Sequence, residues 1–395
     1  MGRHHKWTTG GEQAAAECAA GMAACGCHSD WPVGGGHTAV VTDVGGLFTF
    51  GAGTEGQCGH GAREHRLRPQ RVAAATGDAA VANGEEPTWG DESVLMAACG
   101  AYHTACCTDA GNVWTWGRAR ALGLGDGNDR LVPTLVEGLR GVRVAMVSCG
   151  ARHSAAVCEQ GGLFMWGSDE HGQIGIGGGV GTMVRPVLLG PMLDRYLARE
   201  DPPDGGIPGR GLGHRKVALV ACGGFHTLAV DRQGALWAWG LGKSGQLGLG
   251  DRENRSSPAR VDVDFGSAGP GMAFAGTSHS GAVTHSGNCF MWGLGEDGRL
   301  GTGDESMCLL PARIQIGECG GGGGGGGGSG CSGVGEGGDC VEMAAAGSRH
   351  TVAVSRMGRV WVWGYGADGQ LGLPWVGRRT QKCLLLPSLL DQVST

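Results

Sequence analysis

The stretch VACGGFHTLAV at residues 220–230 runs on through DRQG (231–234), ALWAWG (235–240) and LGKSGQLG (241–248). Its first part is apolar and compatible with a β-strand, the step from Asp231 to Gly234 has turn chemistry, and Leu236 to Trp239 is a second apolar, aromatic run. The pattern predicts short strands joined by tight turns, with a glycine-rich connection after Trp239.

The same pattern occurs six times along the chain, each copy having a histidine followed by Thr or Ser and then an aromatic-glycine step. The histidines are His37, His103, His153, His226, His279 and His350. The aromatic-glycine steps are Phe50-Gly51, Trp116-Gly117, Trp166-Gly167, Trp239-Gly240, Trp292-Gly293 and Trp363-Gly364.

The spacing of the copies indicates the architecture. His103 and His153 are 50 residues apart, and His226 and His279 are 53 residues apart. This length matches a four-stranded propeller blade and is too long for a leucine-rich or ankyrin unit. We therefore predict an all-β fold, a single β-propeller of four-stranded blades with six clear repeats.

Three intervals between copies are longer and contain low-complexity insertions, at about 73–92, 193–214 and 319–339. The last contains an unbroken run of glycine from Gly320 to Gly328. We expect all three insertions to be flexible surface excursions between strands.

Glycine and cysteine recur at fixed places in the repeat. Glycines in register predict positive φ angles or close backbone approach between neighbouring blades. Four cysteines precede a glycine where other copies have Ala275 and Ala346, so they behave as small buried apolar side chains. These cysteines are Cys25, Cys99, Cys149 and Cys222.

Composition excludes several classes of function. The net charge of −6 and pI near 6.1 lack the basic footprint of a nucleic-acid-binding domain. No apolar run reaches the length of a membrane span, and the first thirty residues do not have the order of a signal peptide. We expect a soluble protein of the cytoplasm, the nucleus or both.

Motifs that resemble catalytic or cofactor sites are explained by the repeat. Gly240 to Gly245 fits the dinucleotide fingerprint G-x-G-x-x-G, but three other copies fit it too, and none leads into a helix that could hold a pyrophosphate. Six equivalent histidines point to structural hydrogen bonding instead of one catalytic base. We predict no catalytic residue, no cofactor and no metal site.

The combined Cys-Gly-x-x-His-Thr, Trp-x-Trp-Gly and Gly-Gln-Leu-Gly blocks resemble the repeats of the regulator of chromosome condensation family. The resemblance extends from about Met22 to Pro387. It implies a propeller at 22–395, preceded by an N-terminal segment at 1–21. Family propellers usually have seven blades. Trp7 to Gly10 and Leu386 to Val393 are therefore candidates to pair as an incomplete seventh blade.

The resemblance implies three alternative roles, and the first is a platform for protein–protein interaction. The residue before each histidine varies between copies, and four of these residues form a mixture that protein interfaces favour. If this loop lies on an exposed face, the candidate partner-binding residues are Tyr102, Arg152, Phe225 and Arg349. The alternative explanation is that they cap strand ends.

The other two roles are nucleotide exchange on a Ran-type small GTPase and UV-B photoreception of the plant type. The exchange factor is set apart by an irregular wedge, whereas the third copy here, Trp166 to Gly175, is an ordinary repeat turn. The photoreceptor has tryptophans after the glycine of several Gly-x-x-His steps. Here those positions hold small residues, namely Ala101, Ala151, Gly224, Thr277 and Ser348.

Overall fold

The protein is described from a computed structural model. The structure describes residues 36–72, 89, 92–178, 181–189, 212, 215–266, 269–317, 340–373 and 383–390. Within these ranges the secondary structure is strands, apart from three 3-10 segments of three residues each. The 3-10 segments are Ala119–Ala121, Glu137–Leu139 and Glu296–Gly298.

The strands form six antiparallel sheets, which we number as blades 1 to 6 in chain order. Blade 1 contains β1 (His37–Val41), β2 (Leu47–Gly51) and β3 (Arg66–Val72). Blade 2 contains β4 (Val94–Cys99), β5 (His103–Thr108), β6 (Val113–Gly117) and β7 (Arg130–Leu135). Blade 3 contains β8 (Val144–Cys149), β9 (His153–Cys158), β10 (Leu163–Ser168) and β11 (Thr182–Leu188). Blade 4 contains β12 (Val217–Cys222), β13 (His226–Asp231), β14 (Leu236–Gly240) and β15 (Arg255–Arg260). Blade 5 contains β16 (Pro270–Ala275), β17 (His279–Thr284), β18 (Cys289–Gly293) and β19 (Cys308–Ile314). Blade 6 contains β20 (Val341–Ala346), β21 (His350–Ser355), β22 (Val360–Tyr365) and β23 (Cys383–Leu389).

Each blade follows the chain from the propeller axis to the rim. Blades 2 to 6 have four strands paired in sequence order, and the described part of blade 1 begins with what is the second strand of the other blades. The first strand of one blade packs against the first two strands of the blade before it, as β8 does against β4 and β5. The predicted six-repeat β-propeller is confirmed.

The repeat sets the strand register. In all six blades the repeat histidine pairs with the glycine of the aromatic-glycine step, as His226 does with Gly240. The turn from Asp231 to Gly234 is also as predicted. The Asp231 carboxylate accepts hydrogen bonds from the backbone N–H groups of Gln233 and Ala235, at 2.9 Å each, and Gly234 has a φ of +80°.

The hydrophobic core is divided between the blade interfaces. The tryptophan of the aromatic-glycine step is completely buried in blades 2 to 6 and packs with residues of the preceding blade, so these side chains form part of the core. Cys99, Cys149 and Cys222 are likewise buried. The fourth cysteine of that set, Cys25, lies outside the described residues.

Two of the predicted insertions contribute to this core at single points. Trp89 is buried between blades 1 and 2, where its ring lies 5.6 Å from that of Trp114 in an edge-on contact. Leu212 is buried in the cluster between blades 3 and 4. The insertion at 319–339 lies outside the described residues.

The predicted terminal strands have different outcomes. Leu386 to Leu389 belong to β23, the outer strand of blade 6, which pairs with β22. This part of the chain therefore completes blade 6 and does not begin another repeat. Trp7 to Gly10 lies outside the described residues. No helix within the described ranges is long and apolar enough to cross a membrane.

Candidate interaction face

One face of the propeller carries two loops from each of blades 2 to 6, and we call it the loop face. The first loop is the Gly-x-x-His step between the first and second strands, and the second follows the aromatic-glycine step between the third and fourth strands. A backbone hydrogen bond joins them, such as that from Leu241 N–H to the Phe225 carbonyl at 2.8 Å. The candidate residues before the histidines therefore lie beside the second loops, on one face.

Beneath this face, a repeated hydrogen-bond network joins each blade to the next. The histidine Nε2 of one blade lies 2.7–3.0 Å from a hydroxyl oxygen of the following blade. The five pairs are His37 with Thr104, His103 with Ser154, His153 with Thr227, His226 with Ser280 and His279 with Thr351.

Each hydroxyl in turn donates to a carbonyl of the preceding blade. At the interface of blades 3 and 4, Thr227 Oγ1 donates to the Gln173 carbonyl at 2.9 Å, and the Trp239 indole N–H donates to the same oxygen at 2.9 Å. The same two donors share one carbonyl at four further interfaces. The predicted structural role is thus confirmed for the five histidines of these pairs.

This network fixes the state of the imidazoles. Because Thr227 gives its proton to Gln173, its oxygen must accept the Nε2–H of His153. Burial lowers the pKa of His153 to about 3, and burial together with the nearby His153 lowers the pKa of His226 to about 3. Both rings are therefore neutral at pH 7 and serve to hold blades together.

Two candidate residues present aromatic rings at the loop face. Tyr102 is half-buried, and the exposed Arg118 guanidinium lies 5.4 Å from its ring centroid in a cation–π contact. Phe225 of blade 4 is half-buried, and its ring meets that of His171 of blade 3 edge-on at 5.2 Å. Each ring thus has a partner in a neighbouring loop and one accessible side.

The two candidate arginines differ in how firmly they are held. Arg152 is 43% exposed, and its nearest acidic partner is Glu170 at 4.0 Å. Arg349 makes a two-bond ion pair with Asp297 of blade 5, at 2.8 and 2.9 Å, and lies 3.9 Å above the Tyr365 ring. Arg152 is available to a partner, whereas Arg349 already links blades 5 and 6.

Sequence reasoning missed the centre of that link. Arg299 occupies the place of glutamine in the Gly-Gln-Leu-Gly block, and its side chain is only 5% exposed. It donates to Asp297 at 2.9 Å and to the Ser348 carbonyl at 3.1 Å. Asp297 has a φ of +61°, in the region that favours glycine. The change from Gln to Arg in this copy was the feature of the sequence that could have indicated this ion-pair link.

Three of the five positions that were compared with the photoreceptor have no room for a tryptophan here. Ala101 and Ala151 are completely buried, and a Cβ atom on Gly224 would lie 2.7 Å from the Thr277 carbonyl oxygen. These loops pack against one another around the axis, so a large side chain would separate them. The close packing of these loops therefore explains why small residues, and not tryptophans, occupy these positions.

Glycines of the dinucleotide-like motif have the predicted structural role. Gly245 has a φ of +69°, and Gly248, at the end of the same turn, has a φ of +71°. A Cβ on Gly248 would lie 2.8 Å from the Trp292 Nε1 of the next blade. Close approach to that indole explains the glycine at this position. Among the described residues, no group of three acidic, His or Cys side chains could hold a metal ion.

With this geometry in view, the relatives of the chain are informative. A model of the family described as RCC1-like domain matches residues 30–394. The chain belongs to the RCC1-like domain family. It is an RCC1-type propeller, a fold that serves as an interaction platform.

Two curated proteins illustrate the range of this family. The ultraviolet-B receptor UVR8 of Arabidopsis thaliana is 29% identical over 376 residues, which cover 86% of this chain and 77% of the receptor. The human E3 ubiquitin-protein ligase HERC2 is 30% identical over 343 residues, which cover 86% of this chain and 5% of the ligase. The region of the ligase that matches this chain is therefore a small part of that protein.

Solved structures confirm the fold. Yeast RCC1 (Prp20), in a structure bound to Kap60, superposes with a TM-score of 0.66 at 19% identity, over 91% of this chain and 74% of the yeast chain. Human WBSCR16 superposes with a TM-score of 0.61 at 22% identity, over 88% of this chain and 78% of the human chain. At these identities the likeness concerns the fold alone.

Proposed function

We propose that this protein binds a protein partner through the loop face of blades 2 to 4, without catalysing a bond-making reaction. The observation that carries the proposal is the row of accessible side chains that extends across three adjacent blades. Tyr102, Arg152 and Phe225 occupy equivalent positions, and the exposed Arg118 stands beside the first of them. Aromatic and guanidinium groups are the side chains most often enriched in protein interfaces.

Charge suggests the kind of partner. Arg118 and Arg120 are exposed in the second loop of blade 2, and Arg152 follows in blade 3 with only a 4.0 Å contact to Glu170. Arginines held this loosely keep most of their donors available to carboxylates. We therefore expect a partner surface that presents acidic side chains around an apolar centre. We expect to find this partner in the cytoplasm or the nucleus.

A matched pair of variants tests this proposal. The double variant Arg118→Glu, Arg152→Glu reverses charge on the loop face, while Arg140→Glu reverses an exposed charge beyond β7, at the opposite face. Both variants and the wild type are used to capture partners from cell extract, with quantification by mass spectrometry. The double variant should lose a set of partners that Arg140→Glu retains. Equal recovery by a stably folded double variant contradicts the proposal.

Arg349 is left unchanged in this experiment for a structural reason. Its guanidinium joins Asp297 and Tyr365, so its replacement disturbs the link between blades 5 and 6 as well as any partner contact. Arg152 does not have this complication because its ion pair is long and exposed. A contribution of Arg349 to binding is best tested with Arg349→Lys, which keeps the charge.

Nucleotide exchange on a Ran-type GTPase is a second candidate, supported by the family and by one solved relative. The crystal structure of yeast Prp20p was described together with the binding properties of that protein to Gsp1p and histones. In this chain the blade 3 loop is a compact turn, in which Asp169 Oδ1 accepts the Ile174 N–H at 2.8 Å and the Asp169 and Gln173 side chains are buried. Residues 166–175 thus form an ordinary repeat turn and not the irregular wedge that sets the exchange factor apart. Release of a labelled GDP from a purified Ran-type GTPase, with and without this protein, tests the exchange activity directly.

A further inference from the structure

The second loop of blade 2 is shorter than the corresponding loop of the other blades. The glycine of its aromatic-glycine step and the glycine that ends the loop are six residues apart, at 117 and 123. In the other five blades the two glycines are eight residues apart. These longer loops run from Gly51 to Gly59, Gly167 to Gly175, Gly240 to Gly248, Gly293 to Gly301 and Gly364 to Gly372.

The short loop is held differently from the long ones. In four of the long loops, a glutamine side chain accepts a backbone N–H of its own loop at 2.8–2.9 Å. These side chains belong to Gln57, Gln173, Gln246 and Gln370. Blade 2 has Ala121 in that place, within the 3-10 turn Ala119–Ala121, and the Ala119 N–H donates to Asp129 Oδ1 at 2.9 Å. The sequence thus specifies a separate, compact loop in blade 2.

Each long loop contains a glycine turn that covers an outer-strand residue of the next blade. A Cβ atom on Gly245 would lie 2.8 Å from Leu309 Cδ2, and one on Gly298 would lie 2.9 Å from Leu385 Cδ2. Both leucines are half-buried. The short loop has no such glycine, and the equivalent residue of blade 3, Val184 in β11, is 39% exposed. We call the gap above Val184 the notch.

The blade 2 loop and β11 lie directly against each other at the notch. The Gly125 N–H donates to the Val184 carbonyl at 2.8 Å, and a Cβ atom on Gly125 would lie 2.7 Å from Arg185 Nε. The 3-10 turn also packs on β11. The Val184 side chain therefore lies between the blade 2 loop and the Arg185 side chain, with part of its surface uncovered.

The surroundings of the notch are basic. Three exposed arginines lie on the two elements that form it, namely Arg118, Arg120 and Arg185. Within the described part of the chain, none of the three forms an ion pair. The nearby Asp126 and Asp129 are already paired with Arg130 and Arg63. The three guanidinium groups thus remain available to carboxylates of another molecule.

We propose that the notch anchors an apolar side chain of the protein partner, in a segment where carboxylates flank that side chain. This inference rests on the proposed function, because the notch lies at the loop face of blades 2 and 3. The apolar side chain covers Val184, and the flanking carboxylates pair with the arginines. Interfaces concentrate their binding energy at such an anchor, which is packed in a depression and surrounded by polar contacts.

A nucleic acid fits the notch less well than an acidic protein segment. The exposed part of Val184 offers no hydrogen-bonding group to a base or a phosphate, and the Tyr102 ring on the same loop face already has Arg118 as a cation–π partner. The chain as a whole has a net charge of −6, which opposes binding to a polyanion.

Two fluorescent peptides test the anchor, with binding to the full-length protein measured by fluorescence anisotropy. In the first peptide one phenylalanine stands between glutamates, and in the second an alanine replaces that phenylalanine. We expect the first peptide to bind about tenfold more tightly, because only its ring can cover Val184. Equal affinities would show that the arginines bind carboxylates alone, which overturns the proposal, as does the absence of binding.

Two variants and one control locate the binding site. Val184→Glu places a carboxylate in the notch, and exchange of residues 119–121 for GTEGQ, residues 53–57 of blade 1, restores a long loop above it. Each change should weaken binding of the phenylalanine peptide about tenfold. Leu310→Glu, at a 52% exposed position in the outer strand of blade 5, should leave it within about twofold. Unchanged affinity in both notch variants contradicts the proposal.

Further measurements separate this inference from its alternatives. If a single-stranded RNA displaces the phenylalanine peptide and itself binds more tightly, the surface is a nucleic-acid site and the proposal is wrong. Partner capture with Arg118→Glu, Arg152→Glu tests the proposed function independently. If that double variant loses partners that Val184→Glu retains, the loop face binds proteins but the notch is not their anchor.

Discussion

The imidazole Nε2 of His153 in blade 3 lies 3.0 Å from the Oγ1 of Thr227 in blade 4, and both groups are completely buried. The Thr227 hydroxyl is at once an acceptor for His153 and a donor to the Gln173 carbonyl. A group with two obligatory partners cannot be replaced by an apolar isostere without leaving the imidazole N–H unsatisfied.

Thr227→Val should therefore destabilise the protein. The change keeps the shape of the side chain but leaves the His153 N–H buried without an acceptor, at a cost of about 1–3 kcal/mol. Urea unfolding measures the loss. The matched control is Thr42→Val, since Thr42 bonds within its own turn and is only half-buried. Equal losses in the two variants would show that the interface hydroxyl has no special role.

Acid should weaken the propeller through its neutral histidines. The pKa of His153 and of His226 is about 3 in the folded protein, against an ordinary value of 6.5. Below pH 6.5 the unfolded chain binds protons that the folded chain does not, so stability falls as the pH drops from 6.5 towards 3. At pH 5 the loss is about 2 kcal/mol for each histidine.

The double variant His153→Gln, His226→Gln isolates this effect. Its stability at pH 7 should be lower than that of the wild type, but the further loss between pH 7 and pH 5 should be smaller. Urea unfolding at the two pH values provides the comparison. An unchanged loss between pH 7 and pH 5 would assign the acid sensitivity to other groups.

Two glycines of one turn should respond differently to alanine. Gly248 and Gly250 both have positive φ, so alanine at either position costs about 1–2 kcal/mol in backbone strain. A Cβ at position 248 would in addition lie 2.8 Å from Trp292 Nε1, whereas at position 250 the nearest atom is 3.5 Å away. Gly248→Ala should therefore cost about 1–3 kcal/mol more than Gly250→Ala in thermal or urea unfolding. Similar values for both would mean that the indole can move freely.

Asp297→Ala should have a larger effect than the loss of an exposed ion pair. It removes the carboxylate that pairs with the buried Arg299 and with Arg349, and an uncompensated buried charge costs about 3–5 kcal/mol. Asp126→Ala, which removes the partner of Arg130 at the surface, is the comparison. Stability is measured by urea unfolding. If both variants lose the same stability, Arg299 has found another partner or is hydrated.

Much of this architecture could be predicted from the repeat, because each residue that recurs has the same structural role in every blade. The Trp239-Gly240 step marks a strand end at which the indole packs against the preceding blade and the backbone must turn. The histidines were also interpreted correctly as structural. Their hydroxyl partners were harder to find, because Thr227 lies 74 residues from His153 and only the fold brings the two together.

Features that occur once were missed. Arg299 stands where most other copies have Gln, and the ion-pair network that it forms with Asp297 and Arg349 depends on the loop of another blade. Trp89 lies in a stretch whose composition suggests a loop, yet it packs against Trp114. Periodic patterns predict what is common to the blades, whereas contacts made in one place require the coordinates.

The shared carbonyl at each interface has a direction. The earlier blade always offers the acceptor, and the later blade always supplies the indole and hydroxyl donors. Blades 1 to 5 thus each present the acceptor, and blades 2 to 6 each present the two donors, in the same arrangement. A gene encoding such units can gain or lose one by duplication or deletion of a whole repeat without inventing a new junction. The hydrogen bonds between neighbouring blades therefore do not by themselves fix how many blades the ring contains.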